Sequence, residues 1–118
     1  MTRRDLQMKM REMGRPWEIG KAFDDSAPIG PIHPVSSVGH IEKGAISLTV
    51  DGVQKQKSDV THLIWSVAET VSYLSQFFRL EPGDLIYTGT PEGVGPVKAG
   101  ETMVTAVEGL GEITVRVV

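Results

Sequence analysis

Glycine and proline are the feature of this sequence that most limits its fold. The 118 residues include 13 glycines and 7 prolines, and these residues interrupt every helical or strand-like periodicity between Trp17 and Val38. Proline fixes φ and removes a backbone donor, whereas glycine permits φ values that other residues avoid. Because Trp17 and Phe23 lie in this stretch, we expect a shaped loop rather than a linker, with room for one extended segment from Lys21 to Ile32.

A short amphipathic helix is predicted before this loop. Apolar residues recur at i, i+4 and i+7 from Leu6 to Met13, which is the spacing of one helix face. Thr2 and Asp5 have the spacing of a capping box, with Asp where Glu or Gln is usual. We therefore expect a helix from about Arg3 to Met13, ended by Gly14.

A β-hairpin is the clearest local prediction. Ala45–Val50 alternates between apolar and polar residues, and a second strand-like segment follows in Val53–Lys57. The dipeptide between them, Asp51-Gly52, is favoured in two-residue hairpin turns because both positions accept positive φ. The two segments are therefore expected to pair as antiparallel strands.

The longest predicted element is an amphipathic helix of about 18 residues that follows the hairpin. Its apolar residues form one stripe at helical spacing: Val60, Leu63, Ile64, Val67, Val71, Leu74 and Phe78. Asp59 is in position to cap the first turn.

Further strands are predicted towards the end of the chain. Glu81–Asp84 has the composition of a type II turn and leads into a strand at Leu85–Thr88. Two more strands, near Thr102–Val107 and Glu112–Val118, are joined by Glu108–Gly111. The predicted fold class is α+β, dominated by antiparallel strands, with the long helix covering one face of the sheet.

Composition and charge exclude several classes of protein. The chain has no cysteine and carries 12 Lys and Arg against 15 Asp and Glu, for a net charge of -3. The absence of cysteine argues against a disulfide scaffold. The negative net charge argues against nucleic acid or an anionic membrane as the main partner. The uncharged stretch Val60–Ala68 is too short to span a membrane. The polar start does not resemble a signal peptide, so a cytoplasmic protein is expected.

A glycine-rich segment, Thr88–Val97, has a composition that a plain structural role does not account for. It places three glycines, two prolines and two threonines directly after the predicted strand. Glycines allow the backbone to approach a ligand closely, and threonine hydroxyls can contact that ligand. A phosphate-binding loop is excluded because no Gly-Lys-Ser/Thr follows. A ligand-contacting loop and a tight turn capped by hydroxyls both remain open.

Five blocks of the sequence, in order and spacing, resemble the fumarylacetoacetate hydrolase family. The blocks are Met1–Gln7, Gly14–Asp24, Ser26–Ile29, Leu80–Gly95 and Glu108–Gly111. Within the family the chain is most similar to the small bacterial acylpyruvate hydrolases that act on fumarylpyruvate, and to related hydroxymuconate isomerase/decarboxylases.

The resemblance implies a mixed β-roll, usually in a homodimer, and a small-molecule substrate from aromatic-compound catabolism. It also implies a Mg²⁺ or Mn²⁺ that chelates a 2,4-dioxo acid while water attacks the distal ketone. The C–C bond then breaks to give pyruvate and a second acid. Such a reaction needs donors that hold the departing enolate and the tetrahedral oxyanion.

The resemblance also assigns roles to residues of this chain. Arg4 and Gln7 match the substrate-binding Arg and Gln of the family, and Lys21 matches the lysine that faces the metal-bound substrate. Thr90, with Gly89 beside it, matches the threonine that contacts the carboxylate end. Arg4, Gln7 and Lys21 are the predicted catalytic residues. Without the resemblance, each charged residue would be interpreted as solvated surface, so their expected convergence on one pocket depends on the family.

The metal ligands that the resemblance implies, a Glu-x-Glu pair and an Asp, have no counterpart in these 118 residues. The family places them, and a His/Glu dyad that activates water, before the position of Met1. Asp24 and Asp25 are adjacent and would point to opposite sides of an extended chain. The chain is therefore expected to be the C-terminal part of a catalytic domain, residues 1–118, without metal ligands and inactive alone. A non-catalytic ligand-binding or oligomerisation module is the alternative.

Overall fold

The computed structural model describes all residues, Met1–Val118. They divide into two compact units, Met1–Pro31 and Ile32–Val118, and each unit is described by itself.

The first unit is built on helix α1, Arg4–Glu12, which confirms the short predicted helix. Arg3 is the N-cap residue and no side chain caps the helix, so the capping box expected from Thr2 and Asp5 does not form. Gly14, with φ of 62°, follows the C-terminal end, as glycine commonly does. A single 3-10 turn, Glu18–Gly20, comes next. No strand forms between Lys21 and Pro31, so the extended segment that this stretch had room for is absent.

The second unit is organised around a sheet of four antiparallel strands. These are β1 (Ala45–Val50), β2 (Val53–Asp59), β3 (Thr102–Val107) and β4 (Gly111–Arg116). Their order in the sheet is β2-β1-β3-β4. The predicted hairpin and both C-terminal strands are therefore confirmed, and the fold is α+β with an antiparallel sheet. The mixed β-roll stays a prediction.

The turn of the first hairpin has the expected backbone. Asp51 and Gly52 have φ values of 47° and 78°, as a type I′ turn requires. The Asp51 carboxylate also accepts a hydrogen bond of 2.8 Å from the backbone N–H of Thr102. The side chain thus ties the turn to the start of β3.

The two central strands of the sheet carry the buried hydrophobic residues of the chain. Val50 and Met103 are opposite each other in β1 and β3, and they are 5% and 7% exposed. Side chains alternate between the two faces along each strand. The face that carries Val50 and Met103 therefore also carries five more apolar residues: Ile46, Leu48, Val107, Ile113 and Val115.

Strand β2 contains one β-bulge. Leu48 is opposite Gln56, but the next residue, Thr49, is opposite Gln54. Lys55 is therefore an extra residue with no direct partner in β1. A bulge of this kind bends the strand locally and turns neighbouring side chains to a new direction.

The prediction of one long helix is wrong. The segment forms a 3-10 turn, Val60–His62, and then helix α3, Val67–Leu74, after a short helix α2 at Val35–Val38. The 3-10 turn ends at Leu63, the chain bends at Ile64 and Trp65, and Ser66 then starts α3 with a capping box. Local hydrogen bonds of a capping box fix where a helix begins, and they override the apolar stripe here. No helix in the structure is long and apolar enough to cross a membrane.

Helix α3 also does not cover the sheet as predicted, because it has no extensive contact with any strand. Its aromatic neighbours pack on each other instead. The ring of Tyr73 lies 5.0 Å from that of Trp65 and 5.2 Å from that of Phe77, both edge to face.

The strand predicted at Leu85–Thr88 is absent. A turn does form before it, with the Asp84 backbone N–H donating to the Glu81 carbonyl and Gly83 at a φ of 104°. Residues 85–88 then pair with neither edge of the sheet. A strand is stable only where a neighbour satisfies its backbone groups, so the apolar pattern alone does not produce one.

Candidate functional site

In the first unit, two predicted site residues lie on the first turns of α1. Arg4 and Gln7 are one helical turn apart, so their side chains project on the same face. The Arg4 Nη1 donates a hydrogen bond of 2.6 Å to Gln7 Oε1. This contact orients the Gln7 amide so that its nitrogen donors face away from the guanidinium. The pair therefore offers several N–H donors to an anionic ligand.

Lys21 lies beside the start of the same helix. Its Nζ donates to the hydroxyl of Thr2 at 3.0 Å. Neither Lys21 nor Arg4 forms an ion pair with a carboxylate. Both cations are exposed, so their charge is available to an anion. The structure thus brings the three predicted catalytic residues, Arg4, Gln7 and Lys21, to one end of α1.

Gly20 is the residue that permits this arrangement, and sequence reasoning missed it. The Arg3 backbone N–H donates to the Gly20 carbonyl at 2.9 Å. A Cβ on Gly20 would lie 3.1 Å from both the Cβ and the backbone nitrogen of Gln7. Close approach of this kind favours glycine, and it places Lys21 next to Thr2.

Two further contacts hold the loop of the first unit. The Arg3 guanidinium lies 4.4 Å from the centre of the Phe23 ring, a cation–π contact. The terminal ammonium of Met1 donates to the Ser26 carbonyl. These contacts engage Arg3 and the terminal ammonium, whereas Arg4 and Lys21 form no ion pair.

In the second unit, the glycine-rich segment contains the other predicted binding residues. Gly89 has a φ of 107°, a conformation that favours glycine, and no atom lies within 4 Å of the position a Cβ would take. Thr90 is exposed, and its hydroxyl lies 3.0 Å from the Gln56 side-chain nitrogen. The residues assigned to the site belong to two different units, so their convergence on one pocket stays a prediction.

Metal-binding groups do not assemble in the structure. No three His, Asp or Glu side chains come together, although a divalent cation requires several oxygen or nitrogen ligands. The residues present therefore do not fit the Mg²⁺ or Mn²⁺ that the family implies. His62, one of the three histidines, pairs with the Ser58 hydroxyl through Nδ1 at 3.0 Å.

The carboxylates with clearly shifted pKa values are structural. The Thr61 backbone N–H and hydroxyl hold the pKa of Asp59 below its ordinary value. The Ser66 backbone N–H and hydroxyl likewise lower the pKa of Glu69. Both carboxylates begin helical turns, where hydrogen bonds to backbone N–H groups favour the charged form.

The fold and these residues place the chain in a known family. Residues 1–118 match the family described as fumarylacetoacetate (FAA) hydrolase C-terminal, and the chain belongs to that family.

Individual relatives show what the chain is similar to. It is 50% identical over 117 residues to the fumarylpyruvate hydrolase of a Ralstonia species, covering 99% of this chain and 60% of that protein. It is 38% identical to the oxaloacetate tautomerase YcgM of Escherichia coli, covering 99% of this chain and 53% of the relative. The chain thus spans little more than half the length of these proteins.

Two solved structures of hydrolases are also similar to this chain. The fumarylpyruvate hydrolase of Pseudomonas aeruginosa, in complex with Mn²⁺ and pyruvate, matches with a TM-score of 0.96 and 72% identity. The match covers 100% of this chain and 51% of that one. A maleylpyruvate hydrolase of Sphingobium, also with manganese and pyruvate, matches with a TM-score of 0.81 and 35% identity.

Proposed function

We propose that this chain is the substrate-anchoring part of an acylpyruvate hydrolase, with a 2,4-dioxo acid such as fumarylpyruvate as substrate. The observation that carries the proposal is the cluster at the start of α1. There, one face presents Arg4 and Gln7 in contact, with the Lys21 ammonium beside the same helix end. The similarity to two hydrolases crystallised with Mn²⁺ and pyruvate supports it.

The proposed chemistry follows from the charges of the substrate. Water adds to the distal ketone of the dioxo acid, the C–C bond breaks, and its electrons leave on the enolate of pyruvate, which is then protonated. Arg4 and Gln7 bind the oxygens of the 2-oxo acid, and Lys21 stabilises the negative charge that develops on the enolate. Preorganised donors aimed at developing charge are commonly the largest single contribution to catalysis. Gly89 and Thr90 contact the carboxylate end.

Two similar hydrolases were crystallised with manganese and pyruvate, and a divalent metal bound in this way would polarise the substrate oxygens. The present residues supply no ligand set for it. We propose that the metal ligands and the water-activating groups come from the part of the domain that this chain does not span, and that residues 1–118 are its C-terminal part. The chain by itself is then inactive towards acylpyruvates. The homodimer, the cytoplasmic location and the role in aromatic catabolism remain predictions.

The proposal is tested by pyruvate release. The chain is mixed with a separately produced segment of the Pseudomonas relative that covers the part it does not span, and fumarylpyruvate cleavage is followed in the presence of Mn²⁺. Lys21→Met in the chain is expected to lower turnover by about two orders of magnitude. Lys9→Met, which removes an exposed lysine from the same unit, is the matched control and leaves turnover unchanged. Equal rates for the two variants would remove Lys21 from the site.

Tautomerisation of a 2-oxo acid is the second candidate reaction, because an oxaloacetate tautomerase is among the similar proteins. It uses the same stabilised enolate but breaks no C–C bond, and the hydroxymuconate isomerase/decarboxylase reaction is a further possibility of this type. In the same mixture, conversion between the keto and enol forms of oxaloacetate without pyruvate release from fumarylpyruvate would favour this candidate.

A further inference from the structure

The side-chain amide of Gln56 contacts three consecutive residues of the glycine-rich segment. Its Nε2 lies 2.6 Å from the Pro91 carbonyl oxygen, 3.0 Å from the Thr90 hydroxyl and 3.2 Å from the Glu92 carbonyl oxygen. Because the amide has two hydrogens, one of them is shared between two of these acceptors. Gln56 is half-buried on β2. These contacts attach an otherwise irregular loop to the edge of the sheet.

The β-bulge explains why Gln56 points at the loop. Lys55 is the extra residue of the bulge, and its carbonyl oxygen faces Gly93. A Cβ on Gly93 would collide with that oxygen, and the φ of Gly93 is 91°. Glycine is therefore required at 93 for two independent reasons. The bulge and the glycine together let the loop lie against β2.

The hydrogen-bond pattern fixes the orientation of the amide. The carbonyls of Pro91 and Glu92 accept hydrogen bonds and cannot donate them, so the nitrogen of the Gln56 amide must face the loop. The Thr90 hydroxyl can also donate to the amide oxygen, Oε1, at a longer 3.3 Å. The shorter contact with Nε2 favours Thr90 as an acceptor from the amide. The hydroxyl proton then has only this long contact with Oε1, and a carboxylate oxygen would be a stronger acceptor for it.

We propose that Gln56 is a positioning residue that holds Thr90–Glu92 on the sheet and directs the Thr90 hydroxyl proton towards a carboxylate ligand. The inference deepens the proposed function, since it rests on the contact of Thr90 with the carboxylate end of the substrate. Gln56 itself need not touch the ligand. Its effect on binding passes through Thr90.

The first test needs no ligand. Gln56→Met keeps the length of the side chain and removes both amide donors, while Gln54→Met makes the same change two residues earlier on β2, where the side chain is exposed. Backbone ¹⁵N order parameters at residues 89, 90, 92 and 93 are expected to fall from the rigid range near about 0.85 to below about 0.6 in Gln56→Met, because the loop loses its attachment to β2. Gln54→Met leaves them unchanged, and order parameters within β1 and β3 serve as the check on folding.

A second, spectroscopic test addresses the Thr90 hydroxyl. Thr90→Val removes the acceptor and is expected to shift the NMR resonances of the Gln56 side-chain amide protons. Unchanged order parameters at residues 89–93 in Gln56→Met, or unchanged amide resonances in Thr90→Val, overturn the proposal.

The third test uses pyruvate as the probe, titrated into the chain. Gln56→Met and Thr90→Val are each expected to lower pyruvate affinity about tenfold, and the double variant to lose no more than either alone, because both act through one hydroxyl. Additive losses would overturn the positioning role. If the unmodified chain binds no pyruvate, the proposed function fails for this chain, and the two ligand-free tests still decide whether Gln56 positions Thr90.

Discussion

Replacing Gly20 with alanine tests how closely the loop after α1 must approach the helix. The added Cβ would lie 3.1 Å from two atoms of Gln7 and 3.2 Å from the Arg3 carbonyl oxygen. Two of these three neighbours are backbone atoms, which cannot move without displacing the start of α1. The loop must therefore shift away from the helix, and Lys21, the next residue, shifts with it.

The expected magnitude follows from two opposing effects. Overpacking by one methyl group costs roughly 1–3 kcal/mol, and alanine recovers roughly 0.4–1 kcal/mol by restricting the unfolded chain. We expect a net loss of about 1–2 kcal/mol in the free energy of unfolding of the first unit. For a chain of this size that corresponds to a fall in Tm of roughly 5–8 °C.

Urea unfolding provides the assay. The chain has two tryptophans, so a Trp65→Phe background leaves Trp17 fluorescence as the signal from the first unit. Gly95→Ala is the matched control, because Gly95 has open space where a Cβ would lie and no positive φ. An unfolding midpoint for Gly20→Ala equal to or above that of Gly95→Ala would refute the close-packing argument.

Three further predictions concern ligand, metal and proton binding. Thr90→Val should weaken pyruvate binding about tenfold through the lost hydroxyl without lowering Tm, and calorimetry measures the affinity. A loss of affinity accompanied by a comparable loss of Tm would instead favour a plain structural turn. Calorimetric titration of the chain alone with Mn²⁺ should show no site tighter than about millimolar, the weak end for oxygen ligands, and a micromolar site would contradict this. The pKa of Glu69 is lowered by its bonds to Ser66; the stability it gives α3 is therefore present above its ordinary pKa and lost as pH falls through the lower folded value. Amide chemical shifts in α3 should follow that loss in the unmodified chain and show no such titration in Glu69→Gln.

The sequence by itself determined the elements whose signals are local. The Asp51-Gly52 dipeptide predicts a two-residue turn from its own backbone preferences. The alternating apolar and polar residues on either side predict the two strands of the hairpin. Helix α1 is equally local, since its apolar spacing and Gly14 lie within a few residues of each other. The five motif blocks were also enough to indicate the family. The family in turn indicated the roles expected of Arg4, Gln7, Lys21, Gly89 and Thr90.

Tertiary structure decided the features that depend on distant neighbours or on competition between local signals. The apolar stripe from Val60 to Phe78 fits one long helix, but the capping box at Ser66 and Glu69 starts a shorter one. Hydrogen bonds at the helix end outweigh an apolar face that has no extensive contact with the sheet. The residues at Leu85–Thr88 have a strand-like pattern but pair with neither edge of the sheet. The contact of Gly20 with Gln7, and that of Gln56 with Thr90, join residues 13 and 34 positions apart in the chain. Such contacts leave no mark in local spacing, because they depend on how the backbone folds between the two residues.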